Sequence, residues 1–284
     1  MHPFSTWTRG QFLLSPLFVS AAHPAPKIVF VCGDHEYSGE ITLPLFAKEL
    51  TARYGLDCQI LRSSPDQNAE TNIPGLEALD SASLAIFFLR WRQLPQSQLV
   101  YIDRYIHSHK PIIGLRTSSH AFHYAATEEL SMWNRWASDV FGAPPGWEVD
   151  GHTHYGHQST TRVSLNPKYK RHPILRDLPA EFTAPSWLYK VAPKYPPDEA
   201  QVLLWGDAIN PNKPSIRNPV AWTWRNAFGA NAFYTSLGHP GDFALEPFQR
   251  LLVNAIYSSL GRKHPKSWTG PMPIRVPYRG IVKS

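Results

Sequence analysis

The sequence predicts a single α/β domain in which an open, mostly parallel sheet carries helices on both faces. The run at 27–32 is apolar and rich in β-branched residues, as a strand buried on both sides requires. Apolar residues at helical spacing follow it and end at Gly55, which suits the left-handed conformation that closes a helix. Further strands alternate with helical patterns, and this alternation is typical of a parallel sheet covered by helices.

The other predicted elements follow in order along the chain. They are strands at 58–61 and 84–89, a helix after Pro95, strands at 112–115, 201–205, 219–224 and 230–235, and a helix at 248–260. The last three strands are expected to be joined by short turns. The segment 127–197 lacks clear periodicity, so no element is assigned to it.

The two ends of the chain differ in composition from the domain at 27–262. Residues 1–26 are predicted to be a signal peptide or a disordered N-terminus, because 9–22 combine a positive charge, a short apolar stretch and small residues. That stretch is too short to span a membrane, and it is compatible with export to the periplasm; without export the protein is expected in the cytoplasm. The Pro-rich segment 263–284 is predicted to be an extended tail along the surface.

Composition and charge argue against a nucleic-acid partner. The formal net charge is +6, but the 28 Lys and Arg residues are scattered and form no basic block. A hydrophobic content of 43% describes an ordered globular protein. Homo-oligomerisation is left open.

Polar clusters follow four of the predicted strands. In an open parallel sheet, ligands bind beyond the carboxyl ends of the strands, so these clusters are expected to meet at one edge and form a functional pocket. One such cluster alone would be an ordinary polar loop. The clusters are Gly33-Asp34-His35-Glu36, Arg90-Trp91-Arg92, Arg116-Thr117-Ser118-Ser119-His120 and Gly238-His239-Pro240-Gly241-Asp242.

A second motif consists of His152, His154 and His157. Neutral imidazole is the commonest nitrogen ligand of zinc, so the motif predicts a site for a divalent metal such as Zn. Its spacing matches no established zinc pattern. The alternative is a polar loop with solvent-exposed rings.

Aromatic residues stand beside the polar clusters, among them Tyr37, Trp91 and Trp187. Flat apolar rings next to hydrogen-bonding groups suit a small-molecule carbohydrate as the ligand. The alternative is that these rings belong to the core, where Trp and Tyr supply large buried areas.

Several segments together resemble the ThuA-like (trehalose-utilisation) family, and in particular a bacterial subgroup of it. They are VCGDHEY at 31–37, PIIGLRTSSHAF at 111–122, PVAW at 219–222, AFYTSLGH at 232–239 and FQRLLVNAI at 248–256. The resemblance covers residues 27–262. It implies a role in carbohydrate metabolism and the class I glutamine-amidotransferase-like fold, which is flavodoxin-like in its open sheet.

In that fold a sharp turn after the central strand normally presents a cysteine, which a later histidine assists. Here Arg116 and Thr117 occupy the turn, and no cysteine is near, so glutaminase activity is not expected. A serine or threonine nucleophile would need an adjacent base, for which His120 and His239 are the candidates.

Two functional hypotheses follow. The first is an enzyme acting on a sugar or an oxidised sugar by acid/base or metal-assisted chemistry. Its catalytic candidates are Asp34, His35, Glu36, His120 and His239, and its substrate-binding candidates are Tyr37, Arg90, Trp91, Arg92, Arg116, Thr117 and Ser118. The second is a non-catalytic carbohydrate-binding or scaffold protein. Acid and base residues clustered with a metal would favour the enzyme, whereas aromatic platforms with paired ionisable groups would favour the binding protein.

Overall fold

The computed structural model describes residues 25–146, 153–191, 194–265 and 268–281. Every strand and helix predicted from the sequence is present. In chain order the elements are β1 Lys27–Gly33, α1 Gly39–Tyr54, β2 Asp57–Arg62, β3 Leu84–Leu89, α2 Gln96–His107, β4 Ile112–Leu115, α3 Trp136–Phe141, β5 Thr153–His154, β6 Thr160–Leu165, β7 Glu181–Ala184, β8 Tyr189–Lys190, β9 Gln201–Ile209, β10 Arg217–Arg225, β11 Asn231–Thr235 and α4 Glu246–Ser259. No helix within these ranges is long and apolar enough to cross a bilayer.

Nine strands form one mixed sheet in the order β2-β1-β3-β4-β11-β10-β9-β6-β7. The five strands from β2 to β11 in this order are parallel. The other four strands, β10, β9, β6 and β7, each pair antiparallel with their neighbours in the sheet. The predicted mostly parallel sheet is confirmed, and an antiparallel part that was not predicted extends it on one side. The physical reason for the antiparallel pairing is the short connections from β9 to β10 and from β10 to β11, which cannot make the crossover that a parallel pair needs.

Alternate residues of β1 belong to two separate apolar clusters. Phe30 packs in the cluster that includes Phe46 of α1 and residues of α4. Its neighbour Val31 packs in the cluster that includes Ile102 of α2 and residues of α3. These side chains are almost completely buried, and each such burial stabilises the fold by about 1.5–3 kcal/mol.

The segment 127–197, which carries no predicted element, contains α3 and the strands β5 to β8. The strands β6 and β7 extend the sheet beyond β9. β6 is only half buried, and its sequence mixes Thr, Arg and Ser with apolar residues. Such a strand has little apolar periodicity, and this explains why the sequence did not reveal it.

The described residues of the tail form neither helix nor strand. The tail does not merely follow the surface, because Met272, Ile274 and Val276 are buried in the core. Gln249 of α4 holds its main chain, donating from Nε2 to Met272 O at 2.9 Å and accepting from Met272 N at Oε1 at 2.7 Å. The tail is therefore an integral part of the packing.

The turn that ends β4 creates the geometry of the site. The strand ends at Leu115, and Arg116 then adopts a φ of 38°, which is costly for a residue other than glycine. A tight 3-10 turn, Arg116–His120, follows. Gly114 lets α3 approach from behind, because a Cβ there would lie 2.7 Å from the ring of Phe141. The turn thus lies at the carboxyl edge of the sheet, with α3 packed closely against β4.

Candidate functional site

The four polar clusters meet at the carboxyl edge of the parallel strands. Thr117 Oγ1, after β4, donates to Asp34 Oδ1, after β1, at 3.3 Å. The clusters after β3 and β4 are joined by a main-chain hydrogen bond from Trp91 N to His120 O of 3.0 Å. The cluster after β11 joins through His239, whose ring packs against that of Tyr37, the residue that follows the first cluster. The structure therefore brings residues from all four clusters together.

Arg116 occupies the turn where the resemblance would place a cysteine, and it is completely buried. Its Nη1 donates to Ser236 O at 2.8 Å and to Ser186 Oγ at 3.1 Å, and its Nη2 donates to Tyr37 Oη at 3.1 Å. The guanidinium carbon lies 4.1 Å from the ring centre of Tyr37 and 4.7 Å from that of Tyr189. The turn thus presents a cation held between two aromatic rings instead of a nucleophile.

Asp242 links this turn to the loop after β11. The carboxylate is fully buried, and its Oδ2 accepts hydrogen bonds from Gly238 N at 2.7 Å and His239 N at 3.1 Å. Ser186 donates to both carboxylate oxygens, from Oγ at 2.5 Å and from N at 3.0 Å, while its Oγ accepts from Arg116. Burial raises the pKa of Asp242, and the hydrogen bonds oppose this rise. The chain Arg116–Ser186–Asp242 therefore fixes the backbone of His239.

Ser186 was not predicted as a site residue, and Asp242 was named only as a member of the polar cluster after β11. Asp242 stands in the polar cluster after β11, so its position at the sheet edge was a usable signal. Ser186 lies in the segment without clear periodicity, where the sequence carries no signal for it.

Asp34 is a fully buried carboxylate at the end of β1. Its Oδ2 accepts from Tyr37 N at 2.7 Å. Burial is the main cause that raises its pKa to about 6, and the nearby charge of Glu36 adds to the rise. It also lines a cleft of about 310 Å³ together with hydrogen-bonding side chains that include Glu40, Arg62, Ser63, Asp66 and Gln67. A carboxyl group with this pKa can exchange a proton close to neutral pH.

His35 is enclosed by two arginines. Its Nε2 lies 2.8 Å from Arg90 Nη1, and its Nδ1 lies 2.5 Å from Arg92 Nη2. A guanidinium group only donates, and a neutral imidazole has one acceptor nitrogen, so only one of these contacts can be a hydrogen bond. Burial and the two guanidinium groups lower the pKa of His35 to about 4. His35 therefore orients the arginines and has no ring nitrogen left over for a substrate.

The arginines after β3 are also committed to neighbours. Arg90 Nε lies 2.8 Å from Glu36 Oε2, and its guanidinium carbon lies 3.5 Å above the centre of the Trp91 ring. Arg92 is fully buried and donates to the main-chain oxygens of Ala69 at 2.9 Å and Arg90 at 2.7 Å. Glu36 is 7% exposed, so the Arg90–Glu36 pair lies just below the surface of the site.

The serines of the turn have structural partners. Ser118 Oγ donates to Phe87 O at 2.8 Å and accepts from Leu89 N at 3.2 Å, so it extends the edge of β3. Ser119 Oγ lies 3.0 Å from His120 Nδ1. Both members of this Ser–His pair are buried.

His239 lies among aromatic rings. Its Nδ1 accepts from Gly241 N at 3.1 Å, so in the neutral ring Nε2 carries the proton. Burial and the charge of Arg116 lower its pKa to about 4, which keeps the ring neutral at pH 7. The ring stacks on Tyr278 of the tail, with centroids 4.9 Å apart and an interplanar angle of 29°, and lies 6.0 Å from the Trp187 ring. Trp187 and Tyr278 thus line the site; Trp187 was noted in the sequence as an aromatic residue beside the polar clusters, whereas Tyr278 was not predicted.

The predicted histidine metal site is largely outside the described part of the chain. His152 lies outside the described residues, and of His154 only the backbone position in β5 is described. The His157 ring stacks on Trp187, with centroids 4.1 Å apart. Within the described ranges no group of three or more His, Cys, Asp and Glu side chains could hold a metal ion. Metal binding stays a prediction.

Comparisons with known proteins agree with the arrangement of the sheet. A family model described as ThuA, trehalose utilisation, matches residues 66–257. A ThuA-like protein from Parabacteroides merdae superposes with a TM-score of 0.63 at 17% identity, covering 90% of this chain and 98% of its own. A ThuA-like protein from Bacteroides uniformis gives 0.53 at 18% identity, covering 85% and 95%. These likenesses concern the fold. No curated protein sequence matches.

Proposed function

This chain belongs to the ThuA (trehalose utilisation) family, and we propose that it is an enzyme that performs acid/base chemistry on a sugar or an oxidised sugar. The observation that carries the proposal is Asp34, a buried carboxyl group with a pKa of about 6 beside a polar cleft of about 310 Å³. A general base works best when its pKa lies near the working pH. Side chains that can hydrogen-bond hydroxyl groups line the same cleft, as a polyhydroxylated substrate requires.

The proposed roles follow from the contacts of each group. Ionised Asp34 accepts a proton from a sugar hydroxyl or from the carbon next to a carbonyl, and it returns that proton later in the reaction. His239 is neutral, and its Nε2–H can donate a hydrogen bond to a substrate oxygen. The buried Arg116 cation adds a positive potential that favours negative charge developing on that oxygen. Glutamine hydrolysis is not part of the proposal, because the turn after β4 holds Arg116.

A second candidate function is supported by a different observation. The rings of Tyr37, Trp187, His239 and Tyr278 pack around one place, and His35 is paired with arginines. Aromatic rings with paired ionisable groups are typical of a site that binds a sugar without transforming it. The alternative is therefore a non-catalytic carbohydrate-binding protein.

One experiment separates the two candidates. The protein is incubated with trehalose, glucose and keto derivatives of both sugars, and turnover is followed by NMR while binding is measured by calorimetry. We expect Asp34→Asn to lower turnover at least 100-fold and to keep binding, since the amide preserves the shape but cannot accept the proton. Asp57→Asn, at an exposed position at the start of β2, is the matched control.

Each other outcome has a clear meaning. Binding without turnover by the unmodified protein would favour the carbohydrate-binding alternative. Neither binding nor turnover with any of these sugars would contradict both candidates. Equal turnover by the unmodified protein and Asp34→Asn would remove Asp34 from the mechanism.

A further inference from the structure

We infer that the C-terminal tail, residues 268–281, completes the ligand site, and that Tyr278 is the wall on which a sugar ring stacks. The inference rests on the proposed function for the identity of the ligand only. The tail lies beyond residues 66–257, which the family model covers. The site would therefore be finished by a part of the chain that the family match does not include.

The first step is that the path of the tail is fixed before it reaches the site. Gln249 is fully buried and makes two hydrogen bonds with the main chain of Met272. Two residues earlier in the tail, Gly270 O accepts a hydrogen bond from Arg53 Nη1 of α1 at 2.9 Å. A segment held at both of these points presents the residues that follow it in a defined position.

The second step is the alternation along the tail. Met272, Ile274 and Val276 are buried, whereas Arg275 between them is exposed. In an extended chain, side chains two residues apart point to the same side. Tyr278 continues this buried series and is directed inward, but it is only half buried. Part of its surface is therefore available to a ligand.

The third step is the surroundings of the Tyr278 ring. Its centroid lies 4.9 Å from that of His239, 5.3 Å from that of Trp187 and 5.7 Å from that of Tyr37. It thus covers the histidine that we assign to the substrate oxygen. Aromatic rings with a polar group at one end offer both an apolar face and a hydrogen-bonding partner, which is the combination that a sugar ring needs.

The fourth step is the charge around the tail. Burial raises the pKa of Tyr278, so its hydroxyl group stays protonated, and the charges of Glu36 and Arg116 act on it. The next residue, Arg279, acts electrostatically on Glu40, which lines the cleft beside Asp34. The tail therefore adds a positive charge that acts on the cleft.

The test compares Tyr278→Ala and Tyr278→Phe with Arg275→Ala, an exposed tail position that serves as the control. The first readout needs no ligand: NMR of ¹³C-labelled histidines, with the His239 signal assigned by its loss in His239→Gln. We expect Tyr278→Ala to shift this signal and to raise the pKa of His239 above its value of about 4, because the stacked ring is lost. Arg275→Ala is expected to leave the signal unchanged.

The second readout is calorimetry with trehalose. We expect Tyr278→Ala to weaken binding at least tenfold, Tyr278→Phe to weaken it less because stacking is kept, and Arg275→Ala to have no effect. An unmoved His239 signal in Tyr278→Ala, or unchanged trehalose affinity in that variant, would overturn the inference. Tyr278→Leu replaces the alanine variant if the latter does not fold.

The two proposals fail in different ways. If the His239 signal moves in Tyr278→Ala but the unmodified protein binds no trehalose or other sugar, the tail belongs to the site and the proposed function is wrong. If the sugar binds and is turned over with equal efficiency in Tyr278→Ala, the proposed function holds and the inference about the tail is wrong.

Discussion

At the level of single residues, the main feature of the site is that an arginine stands in the turn after β4 where the resemblance places a cysteine. The resemblance places a cysteine there, and this chain places Arg116, fully buried and held between the rings of Tyr37 and Tyr189. A buried guanidinium cannot act as a nucleophile, but it sets a strong local positive potential. Asp34, which follows β1 at the same edge of the sheet, has a pKa raised by burial to about 6.

The raised pKa of Asp34 predicts a pH-dependent stability. Its ordinary pKa is 3.8 and its value in the fold is about 6, so between these values the native state holds a proton that the unfolded chain has lost. The free energy of unfolding contributed by Asp34 therefore falls as the pH rises from about 4 to 6. When the pH is raised from 4 to 7, the free energy of unfolding of Asp34→Asn should therefore rise by up to about 3 kcal/mol relative to that of the unmodified protein.

Urea unfolding of the unmodified protein and of Asp34→Asn at pH 4 and pH 7 measures this change. Contributions of the other titratable groups are common to both proteins and cancel in the comparison. Asp57→Asn should show no comparable change, because Asp57 is exposed. A difference between Asp34→Asn and the unmodified protein that is independent of pH would show that Asp34 titrates normally.

The enclosure of Arg116 predicts that lysine cannot replace it. Arg116→Lys keeps the charge but loses the planar group that reaches Ser186, Ser236 and Tyr37 together. We expect the free energy of unfolding to fall by about 2 kcal/mol or more, since hydrogen bonds to charged groups contribute about 1.5–3 kcal/mol. Urea unfolding is the measurement. Arg225→Lys, at an exposed position, should change it by less than about 0.5 kcal/mol.

At the scale of elements, the tail and α4 depend on each other. Gln249 of α4 is fully buried, and its side chain binds Phe243 O at 2.7 Å and both main-chain groups of Met272. Without the amide, Met272 N and Phe243 O would lose this partner, whereas Met272 O would keep the hydrogen bond from Ile274 N at 2.8 Å. Gln249 is therefore the clearest point at which the tail can be released by one substitution.

Gln249→Ala should lower the free energy of unfolding by about 2–4 kcal/mol, because each buried polar group left unpaired costs about 1–3 kcal/mol. Thermal or urea unfolding measures the loss, and Gln96→Ala at the exposed start of α2 is the control. The same variant should move the His239 NMR signal, since Tyr278 is carried by the tail. A stable variant with an unmoved signal would mean that the tail is held by its apolar residues alone.

At the scale of the whole molecule, the parallel and antiparallel parts of the sheet share one core. The apolar cluster around Phe30 of β1 also contains Val163 of β6, Leu203 of β9 and Ala221 of β10. The strands β11 and β10 join the two parts through antiparallel pairing. A shared core predicts that the two parts lose their structure together.

We expect one cooperative unfolding transition, with the same urea midpoint by far-UV circular dichroism and by tryptophan fluorescence. Gly206→Ala tests this from the antiparallel side, because a Cβ there would lie 2.5 Å from Val220 Cγ1 and 2.7 Å from Thr161 Cγ2. This variant should lower both midpoints equally. Separate midpoints for the two probes would show that the two parts of the sheet unfold independently.

The sequence was informative wherever a residue pattern reflects local burial. Strands β3 and β4 lie at the predicted residues, and α1 ends at Gly55, which has a φ of 62°. The apolar residues within each of these elements indicate that it is buried, so the element can be predicted without knowledge of its neighbours. The meeting of the polar clusters was also predictable, because parallel strands bring their carboxyl ends to one edge of a sheet.

The alternation of elements, the edge that carries the polar clusters and the absence of a cysteine from the turn after β4 were all predictable from the amino-acid sequence. The sequence did not reveal that β6 and β7 extend the sheet, that Ser186 and Asp242 tie Arg116 to His239, or that Tyr278 of the tail packs on His239. The physical reason is separation along the chain. Contacts between residues tens of positions apart depend on how elements pack together, and local residue patterns record only burial and backbone preference.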